Sequence, residues 1–222
     1  MKYLSLVIVS ISCFIFCSCN KGDSYYYDYQ KSEQLYEGTI YSYLMGQRGT
    51  YDSLAVVLER LPDLKSVLNQ SDSSVTFFAM NNRSFKLALE NLNNARKVNG
   101  RSPIYLEDID LAVLDTLSYR YLFNSEHPVS DFESYLDGQS IYSSKFNYEM
   151  HVVYKVLTSS GLVGGGQQQL MFSDTNGSIY QRYWNSTNTS TVDFMTRNGV
   201  IHTLDARHEF GFGKLLTYLS NN

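Results

Sequence analysis

The sequence predicts an α+β fold in which most helices precede most strands along the chain. Three observations support this class. Apolar residues recur at helical spacing between residues 52 and 123, strict alternation replaces that spacing from residue 148 onward, and polar, glycine-containing stretches separate the alternating segments. The order does not alternate helix and strand as a parallel sheet requires, and the sequence contains no internal repeat.

The first 34 residues are predicted to lie outside the fold. Residues 1–18 combine Lys2 with a short apolar run, which is typical of a secretory signal peptide. Cys19 follows this run and is the last cysteine of the chain, so we predict that it is lipidated. The alternative is an ordinary cleaved signal with incidental cysteines. Residues 19–34 would form a tyrosine-rich tether and residues 35–222 the domain, anchored to the outer membrane on its surface or periplasmic face.

Helices are predicted mainly between residues 52 and 123. A helix from Asp52 or Ser53 would carry its apolar residues on one face, and Pro62 suits the first turn of the next. The other predicted helices follow the strand 75–80 and cover about 108–123, with a short one within 35–45 and a polar loop at 93–103.

Strands dominate the second half of the sequence. Residues 148–156 alternate between apolar and polar side chains, as in a half-buried strand. Further strands are predicted at 168–173, 191–196 and 200–204, separated by a glycine turn at 164–166 and a polar stretch at 174–190.

Two short segments are the most specific features. Residues 75–85 run from an apolar strand into Asn81 and Asn82, whose side chains can accept hydrogen bonds from the first turn of the following helix. Residues 196–206 lead into a strand through Asn198-Gly199, a pair that readily adopts the positive φ angles of a tight hairpin.

These segments resemble the two signatures of the fasciclin-like domain, T-V-F-A-P-T-N-x-A-F and N-G-V-I-H-V-I-D. The matching residues are Thr76, Phe78, Ala79, Asn82 and Phe85 in the first, and Asn198, Gly199, Val200, Ile201, His202 and Asp205 in the second. Tyr119 matches the tyrosine of a Tyr-His pair in the family, whereas Arg120 replaces the histidine.

The resemblance implies a wedge-shaped β-sandwich with helices preceding and flanking the strands, without enzymatic activity, acting in adhesion or extracellular binding. Segments 135–139, 164–166 and 208–212 look like those of a subgroup of bacterial surface lipoproteins, often found beside glycan-uptake systems of the outer membrane.

The sequence predicts no catalytic site, metal or cofactor. The histidines are not at ligand spacing, and His202 is expected to be structural. The sequence lacks the G-x-S-x-G motif of a serine nucleophile. Its pairs of acidic residues are typical of charges at helix starts or in loops. The net charge of −4 and the lack of a basic run argue against nucleic acid as a partner.

The polar stretch 179–191 holds the candidate binding residues Tyr180, Tyr183 and Trp184. Their rings could stack on sugars while neighbouring amides bind hydroxyl groups. The alternative is that Trp184 packs the loop onto the body of the domain. We therefore expect a surface glycan or a protein as the partner. The alternative function is an accessory subunit of an outer-membrane nutrient-uptake complex, without a ligand site of its own.

Overall fold

The computed structural model describes residues 35–158 and 166–219, which form six α-helices and seven β-strands. The helices are α1 Ile40–Gly46, α2 Asp52–Arg60, α3 Pro62–Asn69, α4 Asn82–Val98, α5 Leu111–Ser118 and α6 Lys214–Leu219. The strands are β1 Val75–Ala79, β2 Leu122–Asn124, β3 Gln139–Tyr142, β4 Glu149–Val156, β5 Gln168–Asp174, β6 Asn185–Thr196 and β7 Gly199–Leu204. The predicted signal peptide, Cys19 and the tether lie outside the described residues, as do Gly164 and Gly165.

The helix α4 is longer than the sequence predicted. Its buried residues include Phe85, Ala88 and Leu92, as the helical spacing indicated. The expected polar loop from residue 93 is wrong, because the helix continues to Val98 with its polar side chains facing outward. Asn93 binds both backbone groups of Ile104, at 2.8 Å to the nitrogen and 2.8 Å to the oxygen, and so ties the returning chain to the helix.

The helix α5 is shorter than predicted. Asp110 caps it by accepting hydrogen bonds from the backbone of Ala112 and Val113, and Leu111 is 52% exposed rather than buried. After Ser118 the chain tightens into a 3₁₀ turn and enters β2, so the predicted helix 108–123 is wrong at both ends. The strands β2 and β3 were not predicted, since segments of three and four residues show almost no alternation.

The seven strands form one mixed sheet in the order β2-β1-β7-β6-β5-β4-β3. Strand β1 pairs in parallel with β7, so that Phe78 lies opposite His202. The two signature segments therefore lie side by side in one sheet, and the α+β class is confirmed.

Strand β6 bends the sheet. It spans 12 residues, of which only the last six were predicted, and its pairing shifts register twice between Thr189 and Phe194. Its first part pairs with β5 and its last part with β7. Such bulges kink a strand and increase its twist. As a result Phe78 on β1 stacks on Phe172 on β5, with ring centroids 4.0 Å apart, although these strands are three positions apart.

The two edges of the sheet meet. Phe123 in β2 forms a bridge with Ser143, just after β3, and the Ser144 backbone nitrogen donates to the Leu122 oxygen at 2.9 Å. The described strands thus form a single, nearly closed sheet around an aromatic core, rather than the two separate sheets of the expected sandwich.

Candidate functional site

Residues 175–184 connect β5 to β6 and are called the aromatic loop. The loop begins with a tight turn in which the Ser178 nitrogen donates to the Thr175 oxygen at 2.9 Å. Both central residues have positive φ angles, 53° at Asn176 and 68° at Gly177. An Asn-Gly pair favours this turn, so a local signal for it was present in the sequence and was missed.

Three exposed residues of the aromatic loop, Tyr180, Arg182 and Tyr183, are here called the Tyr-Arg-Tyr surface. Tyr180 is 58% and Tyr183 is 53% exposed, with ring centroids 6.4 Å apart in an edge-to-face arrangement. The Arg182 guanidinium carbon lies 5.3 Å from the Tyr180 ring centroid and 4.8 Å from that of Tyr183. Two apolar faces and a cation are therefore presented together.

Trp184 has a different environment from the two tyrosines. Its indole nitrogen donates to the Ser178 oxygen at 2.6 Å, and its ring packs against His151 of β4 at 4.7 Å. Burial lowers the pKa of His151, so this ring is neutral at pH 7. Trp184 thus attaches the loop to the sheet, as in the packing alternative, and leaves Tyr180 and Tyr183 as the exposed pair.

The first residues of the aromatic loop are attached to a buried polar network. Asp174, at the end of β5, is fully buried and forms an ion pair with Arg120. Its other oxygen accepts hydrogen bonds from the Tyr148 hydroxyl at 2.6 Å and the Asn176 nitrogen at 2.8 Å. The Tyr148 ring lies 4.0 Å from the Arg120 guanidinium. Burial and the bond to Asp174 both raise the pKa of Tyr148, so its hydroxyl remains a donor.

Two signature residues of β1 and β7, Thr76 and His202, form hydrogen bonds that stabilise the fold. Thr76 donates to the Ser125 oxygen at 2.9 Å and accepts from the His127 nitrogen at 2.7 Å. His202 is fully buried; its Nδ1 accepts from the Asp193 nitrogen at 3.3 Å, so Nε2 carries the hydrogen and donates to the His127 oxygen at 3.0 Å. Both side chains connect the parallel strand pair to the segment after β2.

The remaining residues of the first signature pack the helices. Ala79 and Phe85 are buried, and the Phe85 ring lies 4.6 Å from that of Phe210. Asn81 caps α4 as predicted, by accepting from the backbone of the helix's first turn. Asn82 does not: its Oδ1 accepts from the Ser53 nitrogen at 2.8 Å and thereby caps α2.

Asn198 joins the turn between β6 and β7 to helix α1 and to the end of helix α3. A tight turn is present as predicted, but its central residues are Arg197 and Asn198, between the paired Thr196 and Gly199, rather than Asn198 and Gly199. The expected positive φ at Asn198 is wrong. Its side chain is fully buried instead and binds backbone groups: Oδ1 accepts from Ile40 at 2.8 Å, and Nδ2 donates to the carbonyl oxygens of Leu68 at 3.1 Å and Gln70 at 3.0 Å.

Gly199 is required by a close approach of two strands. A Cβ atom at this position would collide with the carbonyl oxygen of Val75, its partner in β1, and the φ angle of 149° is one that favours glycine.

The contacts of Tyr119 and Asp205 are with residues outside the aromatic loop. Tyr119 is buried, packs edge-to-face on Phe146 at 5.9 Å, and has the Lys145 ammonium 4.8 Å from its ring centroid. Asp205 accepts hydrogen bonds from the side chain and backbone of Arg207, which lower the pKa of its carboxyl group.

A concave surface far from the aromatic loop in sequence, here called the apolar groove, was not predicted. It has a volume of about 590 Å³ and lies between α2, α4 and the segment 104–107. Its apolar lining comes from Val56, Phe85, Leu89, Ile104 and Leu106. These residues belong to three segments far apart in sequence, so periodicity within one helix cannot indicate the groove.

The described residues contain no group of three histidine, cysteine or acidic side chains placed to hold a metal ion. Within 35–158 and 166–219, no helix is long and apolar enough to cross a membrane.

Comparison with protein-family models gives no match, and no curated protein matches the sequence. Among solved structures, the chain is similar to the FAS1 domain pair of the insect cell adhesion molecule fasciclin I, with a TM-score of 0.51 and 13% sequence identity. The match covers 77% of this chain and 50% of that one, so the chain spans about half the length of the structure it matches. The similarity supports a fasciclin-like, or FAS1, fold.

Proposed function

We propose that this protein is a non-enzymatic binding or adhesion domain, attached to the outer membrane by a lipid on Cys19, and that its aromatic loop binds a surface glycan. The FAS1-like fold, which it shares with a cell adhesion molecule, supports the general role. The exposed Tyr-Arg-Tyr surface is the observation that favours a glycan.

Two exposed aromatic faces suit the apolar faces of sugar rings, and nearby polar side chains suit sugar hydroxyl groups. The aromatic loop is held at both ends, since Asn176 binds Asp174 and Trp184 packs on His151. A loop ordered before binding loses less conformational entropy when the ligand arrives, which favours affinity.

The test is glycan binding by the full chain in detergent, monitored by the fluorescence of Trp184, the only tryptophan of the sequence. We expect Tyr183→Ala and Tyr180→Ala to weaken binding about fivefold each, because a lost aromatic contact is worth roughly 1 kcal/mol. Tyr135→Ala is the control, since this tyrosine is also about half exposed but lies outside the loop. Binding that is the same in all four proteins would exclude the aromatic loop as the site.

The lipid anchor is tested separately. We expect the wild-type protein to incorporate labelled fatty acid and to fractionate with membranes, and Cys19→Ser to lose both properties. A Cys19→Ser protein that still incorporates the label would overturn the anchor at this residue.

The second candidate function, an accessory subunit of an outer-membrane uptake complex, is favoured by the apolar groove. An exposed apolar concavity of this size is typical of ligand or protein contact sites. For this function we expect a partner of fixed stoichiometry to co-purify from solubilised membranes with the wild type and Tyr135→Ala, but not with Val56→Gln/Tyr105→Ala, which alters the groove and its rim. A protein that always purifies alone would argue against it.

A further inference from the structure

Arg182 is the only charged residue in the sequence between Asp174 and Asp193. Asp174 is buried and paired with Arg120, and the Asp193 carboxylate accepts a hydrogen bond from the Val129 nitrogen at 2.8 Å. Among the described residues, no carboxylate lies within 4.0 Å of the Arg182 guanidinium, whereas Arg207 is paired with Asp205. The Tyr-Arg-Tyr surface is thus a local positive charge on a protein whose net charge is −4.

We propose that the ligand of the aromatic loop is an acidic glycan, with a sugar carboxylate bound by Arg182 and the sugar ring placed against Tyr183 or Tyr180. This inference rests on the proposed function and specifies its ligand class. A guanidinium and a carboxylate form paired, charge-assisted hydrogen bonds of matching geometry.

The two rings prepare Arg182 for this contact. At 4.8 Å and 5.3 Å from the ring centroids, the guanidinium is attracted to both faces and its freedom is reduced. Within the described part of the chain, its N–H groups have no hydrogen-bond partner that a ligand must displace. A neutral sugar would contact the two tyrosine rings but would form no ion pair with the Arg182 guanidinium.

The experiment measures affinities for matched acidic and neutral ligands: oligogalacturonate against its carboxyl-reduced form, and sialyllactose against lactose. The two pairs distinguish a uronic acid from a sialic acid as the source of the carboxylate. We expect the wild type to bind one acidic ligand at least tenfold more tightly than its neutral partner, and this preference to decrease with added salt.

The decisive variant is Arg182→Gln, with Arg197→Gln as the matched control, because Arg197 is also exposed and carries the same charge but lies at the other end of β6. We expect Arg182→Gln to abolish the preference, because it weakens binding of the acidic ligand about tenfold more than binding of the neutral partner, and to leave the melting temperature unchanged. Arg197→Gln should behave as the wild type.

Equal binding of acidic and neutral ligands by the wild type, or an unchanged preference in Arg182→Gln, would overturn the acidic specificity and leave glycan binding intact. An equal loss in Arg197→Gln would also overturn it, since bulk charge would then be the cause. Absence of binding to all four ligands, and to neutral glycans generally, would remove the proposed function itself.

Discussion

Arg120 and Asp174 form a buried ion pair between the 3₁₀ turn that follows α5 and the end of β5. In the resemblance to the fasciclin-like family, Arg120 takes the place of the histidine of the Tyr-His pair. Asp174 also binds Tyr148 and the Asn176 nitrogen, the second residue of the aromatic loop. The arginine therefore acts as a positioning residue for the loop, although it makes no contact with the exposed tyrosines.

We predict that Arg120→Met destabilises the protein by about 3–5 kcal/mol, because the Asp174 carboxylate would remain buried without its cation. The free energy of unfolding in urea measures this loss. Arg197→Met, at an exposed site, should change it by less than about 0.5 kcal/mol. If the double variant Arg120→Met/Asp174→Asn is no more stable than Arg120→Met alone, the stranded charge is not the cause.

A second prediction concerns Asn198. Asn198→Asp keeps the acceptor for the Ile40 nitrogen but places a carboxylate oxygen against the carbonyls of Leu68 and Gln70. We expect a loss of at least about 3 kcal/mol at pH 7, through lost donors and an unpaired buried charge.

The Asn198→Asp protein should recover part of its stability in acid. A protonated aspartate can again donate, so its pKa is raised in the folded state; the recovered stability is greatest below the unfolded pKa of about 4 and is lost as the pH rises. Unfolding at pH 4 and pH 7 measures the difference. Asn185→Asp is the control, because this exposed amide makes one hydrogen bond, to the Phe212 oxygen. Equal losses in both variants would contradict the buried role of Asn198.

Features encoded within a short segment could be predicted from the sequence. Helices α2 and α3 follow from apolar spacing and Pro62. The placement of β1 and β7 in one sheet follows from the resemblance of the two signature segments, whereas their direct parallel pairing was not predicted. The short strands β2 and β3 could not be found this way, because their pairing depends on partners elsewhere in the chain.

The sequence likewise indicated some residues of the candidate site and not others. The tyrosines of the aromatic loop stand out in composition, so the sequence was enough to name them as candidates. Arg120 and Asp174 are 54 residues apart, and no local pattern indicates that they pair. The role of Asn198 was predicted wrongly, because an Asn-Gly pair in a sequence does not indicate whether the asparagine side chain is exposed in the turn or buried in the fold.

A third prediction compares two glycines with positive φ angles. Gly199→Ala would place a methyl group against the Val75 carbonyl, whereas Gly49→Ala, at φ 81°, meets no atom within 4 Å. We expect Gly49→Ala to cost about 1 kcal/mol, from backbone strain alone. Gly199→Ala should cost at least about 2 kcal/mol more, because it separates the parallel strands β1 and β7. Urea denaturation of both variants measures the costs, and equal values would show that the close approach is unimportant.

The last prediction concerns acid stability. His208 is buried, and its Nε2 accepts a hydrogen bond from the Tyr121 hydroxyl at 2.8 Å, because the Tyr121 oxygen itself accepts from the Gly211 nitrogen. Burial lowers the pKa of His208 to about 3. In the unfolded chain the pKa is about 6.5, so between these values only the unfolded state binds the proton. The stability that His208 contributes is therefore complete above about pH 6.5 and is lost as the pH falls towards 3.

His208→Gln isolates this effect, since glutamine can still accept from Tyr121 but does not titrate. Between pH 7 and pH 5 we expect the wild type to lose about 2 kcal/mol more free energy of unfolding than the variant. Comparing the two proteins removes the contribution of the carboxylates, which they share. Parallel curves of stability against pH would mean that His208 is protonated at little cost in the folded state, and that its bond to Tyr121 does not require a neutral ring.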